Sequence, residues 1–90
     1  LTGQCLCGAI AYEINGGIGT VVNCHCSKCR RWHGAAFRTR TAVERKKFAW
    51  TRGEEYLSTY ESSAPTIKTF CSICGSSLIS LIKDNPDIIG

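Results

Sequence analysis

Seven cysteines fall at three places along these ninety residues: Cys5 and Cys7 as C-x-C, Cys24, Cys26 and Cys29 as C-x-C-x-x-C, and Cys71 and Cys74 as C-x-x-C. No other feature restricts the fold as much. An odd count leaves one thiol over in any disulfide framework. Thiols this close in sequence aim several sulfurs at one point, which is what a metal ion requires; a disulfide requires only one partner at a defined separation. Metal binding is therefore the reading, and a staple of this kind suits the length. A chain this short hides little more than ~60% of its unfolded surface, and small scaffolds gain from a bound metal. One domain over residues 1–90 exhausts the chain.

A structural zinc closes its shell with four protein ligands, whereas a catalytic zinc typically takes three and leaves a fourth position exchangeable. Seven cysteines divide as four and three. Cys5 and Cys7 with Cys71 and Cys74 make the four, because each pair alone is incomplete and the two lie near opposite ends of the chain. Such a site pins the ends together and contributes on the order of 10 kcal/mol of apparent binding energy to folding. Cys24, Cys26 and Cys29 then form a three-thiolate site with an open corner. The competing partition, Cys24 and Cys29 with Cys71 and Cys74, strands three cysteines. Gly8 after Cys7 and Gly75 after Cys74 suit knuckles that turn backbone N–H groups toward the sulfurs.

Between the clusters the chain reads as mostly β. Strands are expected over Ala9–Ile14, Thr20–Asn23, Ala36–Val43, Phe48–Thr51, Leu57–Tyr60, Thr66–Phe70 and Leu78–Ile82, with turn signals at Asn15-Gly16-Gly17 and Arg52-Gly53. In the Ala36–Val43 strand Phe37 and Thr39 face one way, Arg38 and Arg40 the other. One short helix follows the second cluster, capped by Ser27, running through Trp32 and closed by Gly34. Short strands with turns at this spacing point to an antiparallel sandwich tied by zinc. Trp32, Trp50 and Phe37 are expected in the core. A charged fraction of 20% argues against disorder, and no apolar run approaches the ~18 residues of a membrane span. Nothing at the start reads as a secretory signal, so a reducing, cytoplasmic setting is expected, where clustered cysteines mean metal more often than bridges.

Three segments carry a family resemblance: Gln4-Cys5-Leu6-Cys7-Gly8, then Asn23-Cys24-His25-Cys26-Ser27-Lys28-Cys29-Arg30 with Gly34-Ala35-Ala36-Phe37, then Phe70-Cys71-Ser72-Ile73-Cys74-Gly75-Ser76. Together they resemble the glutathione-dependent formaldehyde-activating enzymes, which share a domain with the centromere protein V group. The resemblance implies an Mss4-like antiparallel β fold bearing zinc. It implies Cys5, Cys7, Cys71 and Cys74 as structural ligands and Cys24, Cys26 and Cys29 as ligands of a second, active-site zinc. The activity implied joins glutathione and formaldehyde into S-(hydroxymethyl)glutathione, a carbon–sulfur lyase reaction. The chain is short for the family, and its C-terminus reads as truncated.

Three sulfurs make a soft, weak Lewis acid of a zinc ion, so an exchangeable corner suits a substrate thiolate better than an activated water. An enzyme of thiol–aldehyde chemistry is the leading expectation; a non-catalytic zinc module for protein or nucleic-acid contact is the alternative. His25 lies between two ligands and would point away from the metal on an extended strand, which suits packing. His33, four residues past Cys29, is the candidate proton shuttle. Arg30 and Arg31 border the cluster as candidate carboxylate contacts, against the reading that these basic residues form solvated faces.

The formal charge of +4 counts the thiols as neutral. With seven thiolates and two Zn²⁺ ions it falls to about +1, so the global excess says little about nucleic acid. The local excess survives, since eight of the eleven basic residues lie between Lys28 and Lys47 with Glu44 the only acid there.

Overall fold

The computed structural model describes residues 1–90. In chain order the elements are β1 (Thr2–Gln4), β2 (Ala11–Ile14), β3 (Val21–Cys24), α1 (Ser27–His33), β4 (Arg38–Thr41), β5 (Val43–Glu44), a 3₁₀ turn (Arg45–Lys47), β6 (Phe48–Arg52), a 3₁₀ turn (Glu54–Tyr56), β7 (Leu57–Ser63), β8 (Thr66–Cys71), β9 (Ser77–Ile82) and β10 (Ile88–Ile89). The expected mostly-β, antiparallel architecture with one helix after the second cluster is what the chain adopts. The sheets are β1-β2-β6, β5-β10-β9-β8-β7 and the separate pair β3-β4.

The apolar alternation explains the core. Tyr12 and Ile14 on β2 pack with Phe48 and Trp50 on β6 against the buried Val43, Ile79 and Ile89 of the larger sheet. Phe48 stands edge-on to Trp50 at 4.8 Å between ring centroids and 5.1 Å from Tyr12. A second cluster joins Ile10 to Cys5 and Cys71, so the four-cysteine site is itself core. Only 13 of the 90 residues are buried, too few for apolar burial to hold the fold without help.

Several expectations change. Cys26, not Ser27, is the N-cap of α1: its sulfur accepts the backbone N–H of Cys29, a bond made possible by the C-x-x-C spacing. Gly34 closes the helix as expected. The expected strand Ala36–Val43 is broken into β4 and β5 at Ala42, because β4 pairs with β3 while β5 pairs with β10. Strands β1 and β10 were not legible, being too short to show a period. Phe37 is 41% exposed rather than core, and Trp32 and Trp50 are half-buried. The basic residues are not uniformly solvated: Arg38 and Lys68 are buried, with 5% and 6% of their surface exposed.

Candidate metal centres and the adjoining cavity

The sulfurs of Cys5, Cys7, Cys71 and Cys74 all lie within 4.8 Å of one another, and so do those of Cys24, Cys26 and Cys29. The four-and-three partition is thus the one the fold makes, and the competing partition is excluded by position.

Two knuckles build the first group. In one, the Ile10 N–H donates to the Cys5 sulfur at 3.3 Å while the Gly8 N–H donates to the Cys5 carbonyl at 3.1 Å. In the other, the Ile73 and Cys74 N–H groups donate to the Cys71 sulfur at 3.4 and 3.5 Å, and the Gly75 N–H to the Cys71 carbonyl at 2.8 Å. Both turns close through a left-handed glycine, Gly8 at φ 79° and Gly75 at φ 78°, a conformation that residues with a Cβ resist. The knuckles are tied by the Leu6 N–H donating to the Ser76 hydroxyl at 2.9 Å. Arg52 donates to the Gly8 carbonyl at 2.7 and 3.0 Å and braces the first of them.

The donor set suits a tetrahedral ion. Four thiolates at Zn–S distances near ~2.3 Å place neighbouring sulfurs about 3.8 Å apart. Cys5 to Cys7 measures 3.6 Å and Cys7 to Cys71 measures 3.9 Å. The Ser76 hydroxyl and N–H hold the Cys74 thiol down to about 5, in the form a metal takes.

The second group sits where β3 ends and α1 begins. Cys24 is the last residue of β3, Cys26 caps the helix and Cys29 lies buried in its first turn. The Cys29 N–H, together with the neighbouring thiols, lowers Cys26 to about 7, whereas burial pushes Cys29 up. These three sulfurs line a cavity of about 230 Å³. Its other walls come from Lys28 on α1, Arg38 and Arg40 on β4, the end of β7, the start of β8 with Lys68, and Ser80 and Ile82 on β9.

Register explains the positive wall. Across the β3–β4 pair, Cys24 stands opposite Arg38 and Val22 opposite Arg40. Partners in an antiparallel pair point to the same side, so both arginines share the face of the cysteine. On the other face Thr39 donates its hydroxyl to the Asn23 amide oxygen at 2.9 Å. Lys68 reaches the cavity from the larger sheet and donates to the Ser80 hydroxyl at 3.3 Å. Trp32 is the shared support: the Arg38 guanidinium lies 4.8 Å and the Lys68 ammonium 4.6 Å from its ring centre. Burial lowers both cations from their ordinary values, and the Arg38 charge lowers Lys68 further.

The remaining expected site residues lie elsewhere. Arg30 and Arg31 line a separate depression with Ser27, Gly34, Ala35 and Ala36. His33 faces a neighbouring apolar hollow with Tyr12, Phe48 and Ile79 rather than the cavity of the cysteines. Burial, and then the charges of Arg38 and Lys68, hold its imidazole below the ordinary value, toward the neutral form. His25 is exposed, packed 5.3 Å from the Phe37 ring. Arg38, Arg40 and Lys68 are the residues sequence reasoning missed as a group. The alternation of Arg38 and Arg40 was visible; the approach of Lys68 had no local signal.

A family model described as glutathione-dependent formaldehyde-activating enzyme matches residues 1–90. A crystal structure of a Rhodobacter sphaeroides protein superposes with a TM-score of 0.80 at 29% identity, over 100% of this chain and 82% of that one. No helix is long and apolar enough to cross a membrane. With its fold, its two cysteine groups and a match along its whole length, the chain belongs to the glutathione-dependent formaldehyde-activating enzyme family.

Proposed function

We propose that the three-cysteine site and its cavity carry a carbon–sulfur reaction between glutathione, or a related thiol, and formaldehyde. The observation that carries this is the placement of three sulfurs, one short of a closed tetrahedral shell, in the wall of a cavity. Zinc bound there would supply a soft, exchangeable position suited to a thiolate and to holding it beside an aldehyde. A second ion at Cys5, Cys7, Cys71 and Cys74 would be purely structural, since all four positions are filled by protein.

The chain's own residues do the rest. Cys24, Cys26 and Cys29 fix where the substrate sulfur sits, and the positive side chains around the cavity favour thiolate over thiol. The sulfur lone pair forms a bond to the formaldehyde carbon as the carbonyl π pair moves to oxygen. That oxygen takes a proton equivalent to the one the thiol gave up, so the product is the S-hydroxymethyl thioether and nothing else is consumed. His33, in the neighbouring hollow that Arg38 and Arg40 also line and held toward its neutral form, is the group that would pass this proton to and from solvent. Arg30 and Arg31, on the outer face of α1, guide an anionic thiol by long-range attraction. Reduced thiols are needed throughout, which suits a cytoplasmic setting.

Metal content and turnover together test this. Two zinc ions per chain are expected, with one of them exchanging in the presence of glutathione, and the rate of glutathione–formaldehyde exchange should rise with protein concentration in magnetisation-transfer NMR. Replacing Cys24, Cys26 and Cys29 together by Ser should remove one zinc and all acceleration. Undiminished acceleration in that variant sinks the assignment; two tightly held zincs and no acceleration in the native protein would favour a non-catalytic zinc module.

A further inference from the structure

The cavity at the three cysteines holds more positive charge than its sulfurs need. Arg38, Arg40 and Lys68 line it together with the exposed Lys28, and none of the four forms an ion pair; the ion pairs of the protein are Lys46 and Lys47 with Glu44, and Lys83 with Glu61. No Asp or Glu side chain lines the cavity. Three thiolates around one divalent ion amount to a single negative charge, which leaves two of Arg38, Arg40 and Lys68 unbalanced even before the exposed Lys28 is counted. Buried cations without a counter-charge are costly, and a small fold has little stability to spend on two of them.

Their hydrogen-bonding capacity is also unspent. The Arg40 Nε is buried and has no partner. Lys68 uses one of its three donors, on the Ser80 hydroxyl. The Arg38 guanidinium lies 4.8 Å from the Trp32 ring centre and spends a hydrogen bond on the Cys29 sulfur, which leaves most of its five donors for a ligand. Neutral hydroxyl side chains, Ser62, Ser63 and Thr66, add further donors to the lining. A planar anion of two oxygens matches such a fork of donors.

We propose that Arg38, Arg40 and Lys68 form a carboxylate subsite that selects thiols carrying a carboxylate a few bonds from the sulfur. The inference rests on the thiol reading above for the sulfur's place and adds what the rest of the substrate must be. Cys24 and Arg38 are direct cross-strand partners, so sulfur and carboxylate are bound side by side in one small space. A cavity of about 230 Å³ holds that end of a substrate and leaves a larger remainder outside. A neutral or cationic thiol of the same size would leave the buried cations unmatched and would be rejected.

Calorimetric titration of the zinc-loaded protein with 3-mercaptopropionate, 2-mercaptoethanol and propionate separates the two layers. Expected is a preference for 3-mercaptopropionate over 2-mercaptoethanol of tenfold or more, with propionate weaker than 3-mercaptopropionate. Lys68→Met, which keeps the volume and removes a buried charge, and Arg40→Gln, at a half-buried position, should each cut the preference about tenfold, the worth of one charge-assisted contact. Equal binding of the two thiols overturns the subsite while leaving the thiol reading intact. Binding of propionate as tightly as 3-mercaptopropionate, with none of 2-mercaptoethanol, keeps the subsite and overturns the thiol reading. An undiminished preference in both variants overturns the assignment to these residues.

Discussion

Cys24 and Arg38 face each other directly across the β3–β4 pair, so a sulfur of the three-cysteine group and a buried guanidinium share one side of the same short ribbon. This pairing couples the second cysteine group to the charge of the cavity. It also distinguishes the two cysteine groups, because the only cation bracing the four-cysteine knuckles, Arg52, is exposed.

The four-cysteine group should be the one that holds the fold. Cys71→Ser is expected to abolish the cooperative thermal transition, since Cys71 is among the most deeply buried side chains and belongs to a core cluster. The loss is several kcal/mol, a large share of what a structural zinc of ~10–16 kcal/mol apparent binding energy contributes. Cys24→Ser should retain a melting transition and lose only one zinc. Parallel melting curves and metal analysis decide it; equal damage from the two variants would contradict the division.

Ser76 spans the two knuckles. Its hydroxyl accepts the Leu6 N–H at 2.9 Å and stands 3.2 Å from the Cys74 sulfur. Ser76→Ala should cost about 1–3 kcal/mol in denaturant unfolding of the zinc-loaded protein, by leaving these partners unmatched. A loss below a few tenths would show that water replaces the hydroxyl at the surface.

Gly53 admits no side chain. It has φ 75°, and a Cβ there would come 1.9 Å from the Ala9 carbonyl oxygen. The clash is with backbone, which cannot rotate away. Gly53→Ala is expected to destabilise by about 3 kcal/mol or more, against roughly 0.4–1 kcal/mol gained where Gly→Ala meets no strain. Denaturant melts of the single variant measure it.

Lys68 gives a pH signature. Burial, then the Arg38 charge, lowers its ammonium in the fold, with Arg40 acting the same way and Cys29 and Cys26 opposing. A folded value below the unfolded one means the unfolded chain binds more protons between the two. The burden of the buried charge is therefore fully present at neutral pH and is relieved as pH rises through the folded value toward 10.5. Relative to Lys68→Met, the native protein should be less stable at pH 7 and should close the gap as pH rises. Urea midpoints of both proteins across that range test this; a gap that widens with pH would reverse the sign.

The cysteine clusters were legible in the sequence because their spacing is local, and the four-and-three grouping followed from counting ligands per shell. C-x-C and C-x-x-C force sulfurs together within one turn of chain, and the two glycines marked the knuckles. The strands with a clear period were legible for the same reason, and Gly34 ended the helix where it was expected. The cap of that helix was not, because a serine in the usual position masked a sulfur better placed to accept the Cys29 N–H. The residues of the cavity depended on events distant in sequence. Arg30 and Arg31 are nearest the cluster along the chain and point into another depression. Arg38 and Arg40 reach it through a cross-strand register, and Lys68 through the packing of a separate sheet. By itself, then, the sequence determined how the cysteines group, since spacing sets each cluster and a four-ligand shell needs both outer pairs. Only the tertiary structure decided which cations stand beside them, since that depends on strand register and on how one sheet lies against a hairpin.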